Sequence, residues 1–211
     1  MSSPTPSPKR VLVLAGPSGA GKSRLAKLLQ EEHGWPVVEL DDFYRDVGDH
    51  SLPMSTLGLP DWDDVRAWNQ DAAVAALDRL CSGQSVDIPV YDISVSKAVD
   101  SQRLDAGAHS IIVAEGIFAA HIIADLEKAG LLAGAWCVCS GPWVTFWRRF
   151  SRDTREHRKP ISTLWRRGHR LRRAQPAIVA DQEALGAVQM DSKQAMRDAR
   201  ALAALQGEGT E

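Results

Sequence analysis

Apolar residues come in two alternating patterns along this chain: short continuous runs, and longer stretches in which they recur at helical spacing. Val11-Leu12-Val13-Leu14-Ala15 is a continuous apolar run, the pattern of a strand covered on both faces. A glycine-rich segment follows, and then Arg24-Leu25-Ala26-Lys27-Leu28-Leu29 at helical period, with Gly34 placed to end the helix. Trp35-Pro36-Val37-Val38-Glu39-Leu40 predicts a second strand, and residues 65–80 a helix capped by Asp63 or Asp64. Val86-Asp87-Ile88-Pro89-Val90-Tyr91-Asp92 predicts an edge strand or flap, because Pro89 has no N–H to give a central ladder. Ser110-Ile111-Ile112-Val113-Ala114 is another buried-type strand, followed by a helix over 117–129 and a strand over 134–140. From Pro142 an amphipathic helix carries Trp143, Phe146, Trp147 and Phe150 at helical spacing, which predicts core packing for all four. The Ala-rich stretch 182–205 has a cap at Asp191 or Ser192. Strands alternating with helices predict an α/β fold, a doubly wound parallel sheet between two helical layers.

Composition narrows the class without naming an activity. With 211 residues the chain can bury a full core, and 25 basic against 27 acidic side chains argue against a polyanion binder by bulk charge. No apolar run is long enough to span a bilayer, so no membrane partner is expected. Residues 2–8 are rich in Ser and Pro and lack the apolar core of a signal peptide; residues 1–9 are expected to be a disordered tail, residues 10–211 a single domain, and the location cytoplasmic. Cys81, Cys137 and Cys139 have neither zinc spacing nor an even disulfide count, and the last two are expected on one face of a strand as small hydrophobes.

Chemistry enters between the first strand and the first helix. Gly16-Pro17-Ser18-Gly19-Ala20-Gly21-Lys22-Ser23 fits the spacing of a P-loop, G-x-x-x-x-G-K-[ST]. Gly16, Gly19 and Gly21 allow the positive φ that turns successive N–H groups round one anion, and the helix N-terminus points its dipole at the same place. Lys22 can reach the β- and γ-phosphates, and the hydroxyl of Ser23 can ligate Mg²⁺. The nucleotide-binding set is therefore Gly16, Ser18, Gly19, Ala20, Gly21, Lys22, Ser23 and Arg24, with ATP and Mg²⁺ as cofactors. Asp41-Asp42 stand at the carboxyl end of the second strand, where open α/β sheets bind ligands. They read either as a cap or turn, or as a carboxylate beside the γ-phosphate and metal. Glu115, followed by Gly116, fits a second metal-side carboxylate, which makes Ser23, Asp41 and Glu115 the metal set. An arginine-dense stretch begins near Arg148; a phosphate-binding lid over about 152–176, a solvated face and a nucleic-acid patch are its three readings, and the acidity of the rest of the chain disfavours nucleic acid.

The ordered series of the P-loop, Asp41-Asp42-Phe43-Tyr44-Arg45, Trp62-Asp63, Pro89-Val90-Tyr91-Asp92, Glu115-Gly116-Ile117 and Arg152-Asp153 resembles the uridine kinases, within the uridine, phosphoribulose and pantothenate kinase group. That resemblance implies a P-loop kinase fold with an arginine-rich helical lid, and a substrate loop and flap over about 41–106. It implies Asp41 as the catalytic carboxylate near a nucleoside 5′-hydroxyl, with Lys22 and Arg152 as its catalytic partners. Trp62 and Asp63 then hold the base and the ribose hydroxyls, Tyr44, Tyr91 and Glu115 complete the acceptor side, and Arg155 and Arg158 reach the nucleotide from the lid. Homo-oligomers are common in that family. Two departures stand out: Ser96 occupies the place of a base-contacting histidine, and His157-Arg158-Lys159-Pro160 replaces an Arg-Gly-Arg lid sequence. The expected activity is ATP-dependent phosphorylation of uridine or cytidine in nucleoside salvage. The alternatives are the same transfer to nicotinamide riboside, pantothenate or a sugar, or an ATPase switch acting on a macromolecular partner.

Overall fold

A computed structural model of the chain describes residues 8–56, 58–155 and 161–207. Strand β1 (Arg10–Ala15) runs through the middle of a five-stranded sheet, flanked by β5 (Ile111–Glu115) and β6 (Leu132–Val138). β2 (Val37–Glu39) lies outside β5 and β7 (Val188–Met190) outside β6, giving the order β2-β5-β1-β6-β7 with every pairing parallel. Side-chain alternation on β1 assigns the two cores. Val11, Val13 and Ala15 face one cluster with Leu77, Ile112 and Ile123. Leu12 and Leu14 face the other, with Leu25, Leu29, Trp35 and Ala199. Both faces of the strand are buried, which is why its sequence is apolar without interruption.

The first face is covered by α2 (Gln70–Cys81) and α3 (Ile123–Lys128), the second by α1 (Lys22–His33) and α6 (Ser192–Leu205). Gly34 ends α1 at φ 72°, and Asp191 caps α6 by accepting the N–H groups of Lys193 and Gln194. Strands β3 (Val86–Asp92) and β4 (Lys97–Leu104) form a separate antiparallel hairpin. α4 (Pro142–Arg155) and α5 (Ile161–Ala184) pack together where the lid is expected. Gly168 makes that contact close: a Cβ there would stand 2.6 Å from the ring of Phe146.

Several boundaries differ from the sequence reading. The helix expected over 65–80 is two pieces, a 3-10 turn at Val65–Ala67 capped by Asp64 and then α2, capped by Asn69 through Ala72 N–H. Trp68 interrupts them in extended conformation, its indole N–H donating to Leu40 O at 2.6 Å. The segment expected to be helical from 117 begins as a 3-10 turn, Ala119–Ile122, before α3. β6 starts at Leu132 and ends at Val138, two residues earlier at each end than expected. Of the four aromatics on α4, Phe146 is buried and Phe150 partly so, whereas Trp143 and Trp147 are 51% and 54% exposed. The expected N-terminal tail lies outside the described residues for all but its last two positions. Among the described residues no helix is long and apolar enough to cross a membrane.

Candidate functional site

Parallel pairing brings the carboxyl ends of β1, β2, β5 and β6 to one edge of the sheet, and Lys22, Ser23, Asp41 and Glu115 gather there. The loop leaving β1 holds Gly16, Gly19 and Gly21 at φ 140°, 79° and 108°, so the positive-φ requirement inferred for all three is met. Gly16 is also sterically obligatory, since a Cβ would lie 2.4 Å from Val138 O of β6. Lys22 is buried, and its ammonium donates to Gly16 O at 2.9 Å and Pro17 O at 3.5 Å. Ala20 is fully buried and contributes its backbone; its carbonyl accepts the hydroxyl of Ser140 at 3.0 Å.

Glu115 ends β5 at 6% exposure, hydrogen-bonded by the hydroxyl of Ser23. Burial pushes its carboxyl above the ordinary range; Lys22 and Ser23 oppose that shift, while Asp41 and Glu39 add to it. Asp41 arrives from β2, on a 3-10 turn at Leu40–Phe43, and its Oδ1 accepts the N–H of Ile117 at 3.1 Å. Gly116 makes room for it: a Cβ there would sit 2.9 Å from that oxygen. Ser18, Lys22, Ser23, Asp41 and Glu115 line one cavity of about 220 Å³, together with Arg24 and Arg148.

The two neighbouring aspartates are separated by their partners. Asp42 turns to the hairpin and accepts Tyr91 N–H at 3.0 Å, half-buried and with its carboxyl raised by that burial. Three further bonds fasten the hairpin to the loop after Asp41: Tyr91 Oη to Arg45 O at 3.1 Å, Val47 N–H to Ser96 O at 2.8 Å, and Ala98 N–H to Asp46 Oδ1 at 2.8 Å. Tyr44 sits among Tyr91, Trp62 and Phe118 with ring centroids 5.8, 6.0 and 6.0 Å away, and donates to Trp62 O at 3.1 Å. Burial, then the charges of Asp41 and Asp63, push the Tyr44 phenol well above its usual range. Asp63 itself is exposed at the rim of this recess. Tyr44, Trp62 and Tyr91 are thus brought together.

The lid arginines divide differently. The side chains of Arg152 and Arg155, and Arg158 altogether, lie outside the described residues. Arg172 stacks over Trp143 at 4.3 Å. The sequence marks Arg148 only as the start of the arginine-dense stretch, yet its Nη1 reaches Ser140 Oγ at 3.2 Å and Ala20 O at 3.4 Å, at the wall of the same cavity. The signal was its spacing, since 148, 152 and 155 share a helical face.

Residues 11–158 match the phosphoribulokinase / uridine kinase family. A uridine kinase of Schizosaccharomyces pombe is 32% identical over 68% of this chain, a stretch that spans 32% of the yeast protein. A uridine kinase of Shewanella piezotolerans is 27% identical over 73% of each chain. Among solved structures, a candidate fructose transport system kinase from Silicibacter sp. TM1040 superposes with a TM-score of 0.56 at 16% identity, over 88% of this chain and 87% of the other.

Proposed function

The chain belongs to the phosphoribulokinase / uridine kinase family, and from that premise we propose that it is an ATP-dependent kinase phosphorylating the 5′-hydroxyl of a nucleoside, uridine or cytidine. The reading rests on one observation: Asp41 and Glu115 share a cavity with Lys22 and Ser23, and Asp41 is followed by the aromatic recess around Tyr44. A hydroxyl is a weak nucleophile, so a carboxylate must orient it and take its proton. Asp41 does this with its second oxygen, Oδ1 being held by Ile117 N–H. The acceptor oxygen bonds to the γ-phosphorus as the bond to the β,γ-bridging oxygen breaks, and ADP leaves. Lys22 and Arg148, joined by Arg152, Arg155 and Arg158 of the lid, hold the phosphate charge; one such donor is worth ~2.7–4 kcal/mol of barrier.

The donor set fits Mg²⁺. The buried carboxylate of Glu115 and the Ser23 hydroxyl bonded to it are hard oxygen ligands facing the phosphate cavity, with Asp41 beside them. Bound there with the nucleotide, the ion would screen the β- and γ-phosphate oxygens. Trp62 offers a face for the base and Asp63 a carboxylate for the ribose hydroxyls. The setting proposed is nucleoside salvage in the cytoplasm, by a chain that can assemble into a homo-oligomer.

Ser96 favours a second acceptor class. It stands where the family pattern has a base-contacting histidine, with φ 52° and its hydroxyl turned towards Ile93 O at 3.4 Å. Nicotinamide riboside, pantothenate or a sugar would use the same Asp41. ADP release with Mg-ATP against a panel of these alcohols and the common nucleosides tests both readings. Stimulation by uridine or cytidine is expected. Asp41→Asn should lower that rate about 10²–10⁴-fold with Mg-ATP binding retained. Release that no acceptor stimulates would overturn the kinase reading.

A further inference from the structure

β6 and the residue after it read Cys137-Val138-Cys139, and the two sulfurs lie 3.6 Å apart. The carbonyl of Val138, between them, is the atom that leaves no room for a Cβ on Gly16, so the phosphate loop rests directly on this strand. Cys137 is fully buried and donates its S–H to Gln182 Oε1 at 3.2 Å. Gln182 comes from α5 and is 6% exposed; its Nε2 donates in turn to Ile117 O at 3.3 Å. Ile117 is the residue whose N–H holds Asp41. A thiol pair is thereby connected on one side to the P-loop and on the other, through a buried amide, to the anchor of the proposed base.

We infer that Cys137 and Cys139 form a reversible thiol–disulfide site that loosens the phosphate cavity when oxidised; the inference builds on the kinase reading of that cavity. Two residues apart on a strand, at about 3.3 Å rise each, Cα atoms and Cβ atoms on one face are both about 6.6 Å from one another; the first distance a disulfide tolerates, the second exceeds the ~3.5–4.5 Å of a relaxed bridge, so closure has to bend the strand. Cys139 is partly exposed and reacts first. Its thiolate attacks a small-molecule disulfide, forming a mixed disulfide and releasing one thiol. Cys137 then attacks the sulfur of Cys139, and its proton goes to the departing sulfur, which leaves as the second thiol. Two electrons and two protons move from the protein to the reagent. Closure draws the sulfurs to about 2.0 Å, which tightens the strand around Val138 beneath Gly16. It also removes the S–H that Gln182 accepts, leaving a buried amide oxygen unpaired.

The test uses the full chain carrying Cys81→Ser, so that the pair holds its only thiols, treated with oxidised glutathione. Intact mass should fall by two hydrogen atoms with no glutathione retained. The Kd for Mg-ATP should rise about tenfold, turnover should fall in step, and dithiothreitol should reverse both. Cys139→Ser, with Cys139→Ala in reserve, should keep basal affinity and ignore the reagent. Glutathione retained on one cysteine without ring closure, or a closed ring with unchanged Kd and turnover, overturns the inference. So does a Cys139 variant that responds like its parent. If no acceptor is turned over, the kinase reading fails, while mass and Mg-ATP affinity still decide this one.

Discussion

Glu115 is where function and stability pull apart. Its carboxyl is 6% exposed, and desolvation outweighs the help of Lys22 and Ser23, so its pKa in the folded chain lies above the ordinary glutamate value. A folded state that holds the proton more tightly than the unfolded one is most favoured at low pH. The associated cost is absent below the unfolded pKa and appears as pH rises through the folded one. Glu115→Gln should therefore raise Tm at pH 7, with the gain disappearing below about pH 4, while weakening apparent Mg²⁺ affinity about 10–100-fold. Thermal scans of both proteins across pH, beside Mg²⁺ titrations of ADP release, check the pair of effects; a lower Tm for the variant would reverse the argument. Gly16, Lys22 and Ser23 were legible in the sequence because loop, cation and hydroxyl must stand at fixed offsets. Arg148 was legible only as one of many arginines, and Gln182 not at all. Each is marked by a contact distant in the chain, Ala20 for one, Cys137 and Ile117 for the other.

At the scale of elements, the hairpin and the segment leading into α2 hold the turn that bears Asp41. The period of residues 65–80 reads as one helix, and Asp63 or Asp64 as its cap, but two tertiary bonds break it. Trp68 gives its indole N–H to Leu40 O, and Asn69 N–H goes to Phe43 O, so the chain is extended where it crosses the turn bearing Asp41. Asn69 then caps α2 with its side chain, accepting Ala72 N–H at 3.2 Å. Asn69→Ala should cost about 1 kcal/mol of stability, measured by urea unfolding. A loss within error would return the helix start to Asp64. β4 and β7 escaped the sequence for different reasons. β4 is exposed along nearly its whole length and pairs with β3 alone, so no apolar alternation marks it. β7 is three residues long, with little room for any period.

At the scale of the molecule, the parallel sheet and its switch edge were legible because buried strands leave continuous apolar runs and the P-loop fixes which edge binds. The closing of the second core face was not, since α6 reads only as an Ala-rich helix. The family match ends at residue 158, yet α6 lies beyond it and buries Ala195, Ala199 and Ala203 against the cluster of Leu12, Leu14, Leu25, Leu29 and Trp35. Its ion pair with α1, Arg200 Nε to Glu32 Oε1 at 2.6 Å, is solvent-facing and adds little. The apolar contact is what matters. Each large side chain of that cluster returned to water costs ~1.5–3 kcal/mol, and uncovering several of them approaches the whole ~5–15 kcal/mol by which a domain is stable. A chain ended at residue 186, lacking β7 and α6, should therefore lose its cooperative thermal transition and bind a hydrophobic dye, although every residue of the phosphate cavity is still present. Arg200→Ala in the full chain should shift stability by less than ~1 kcal/mol. A shortened chain that melts cooperatively and still binds Mg-ATP would mean that residues 10–186 hold the phosphate site without the second face, and that α6 serves something other than the core.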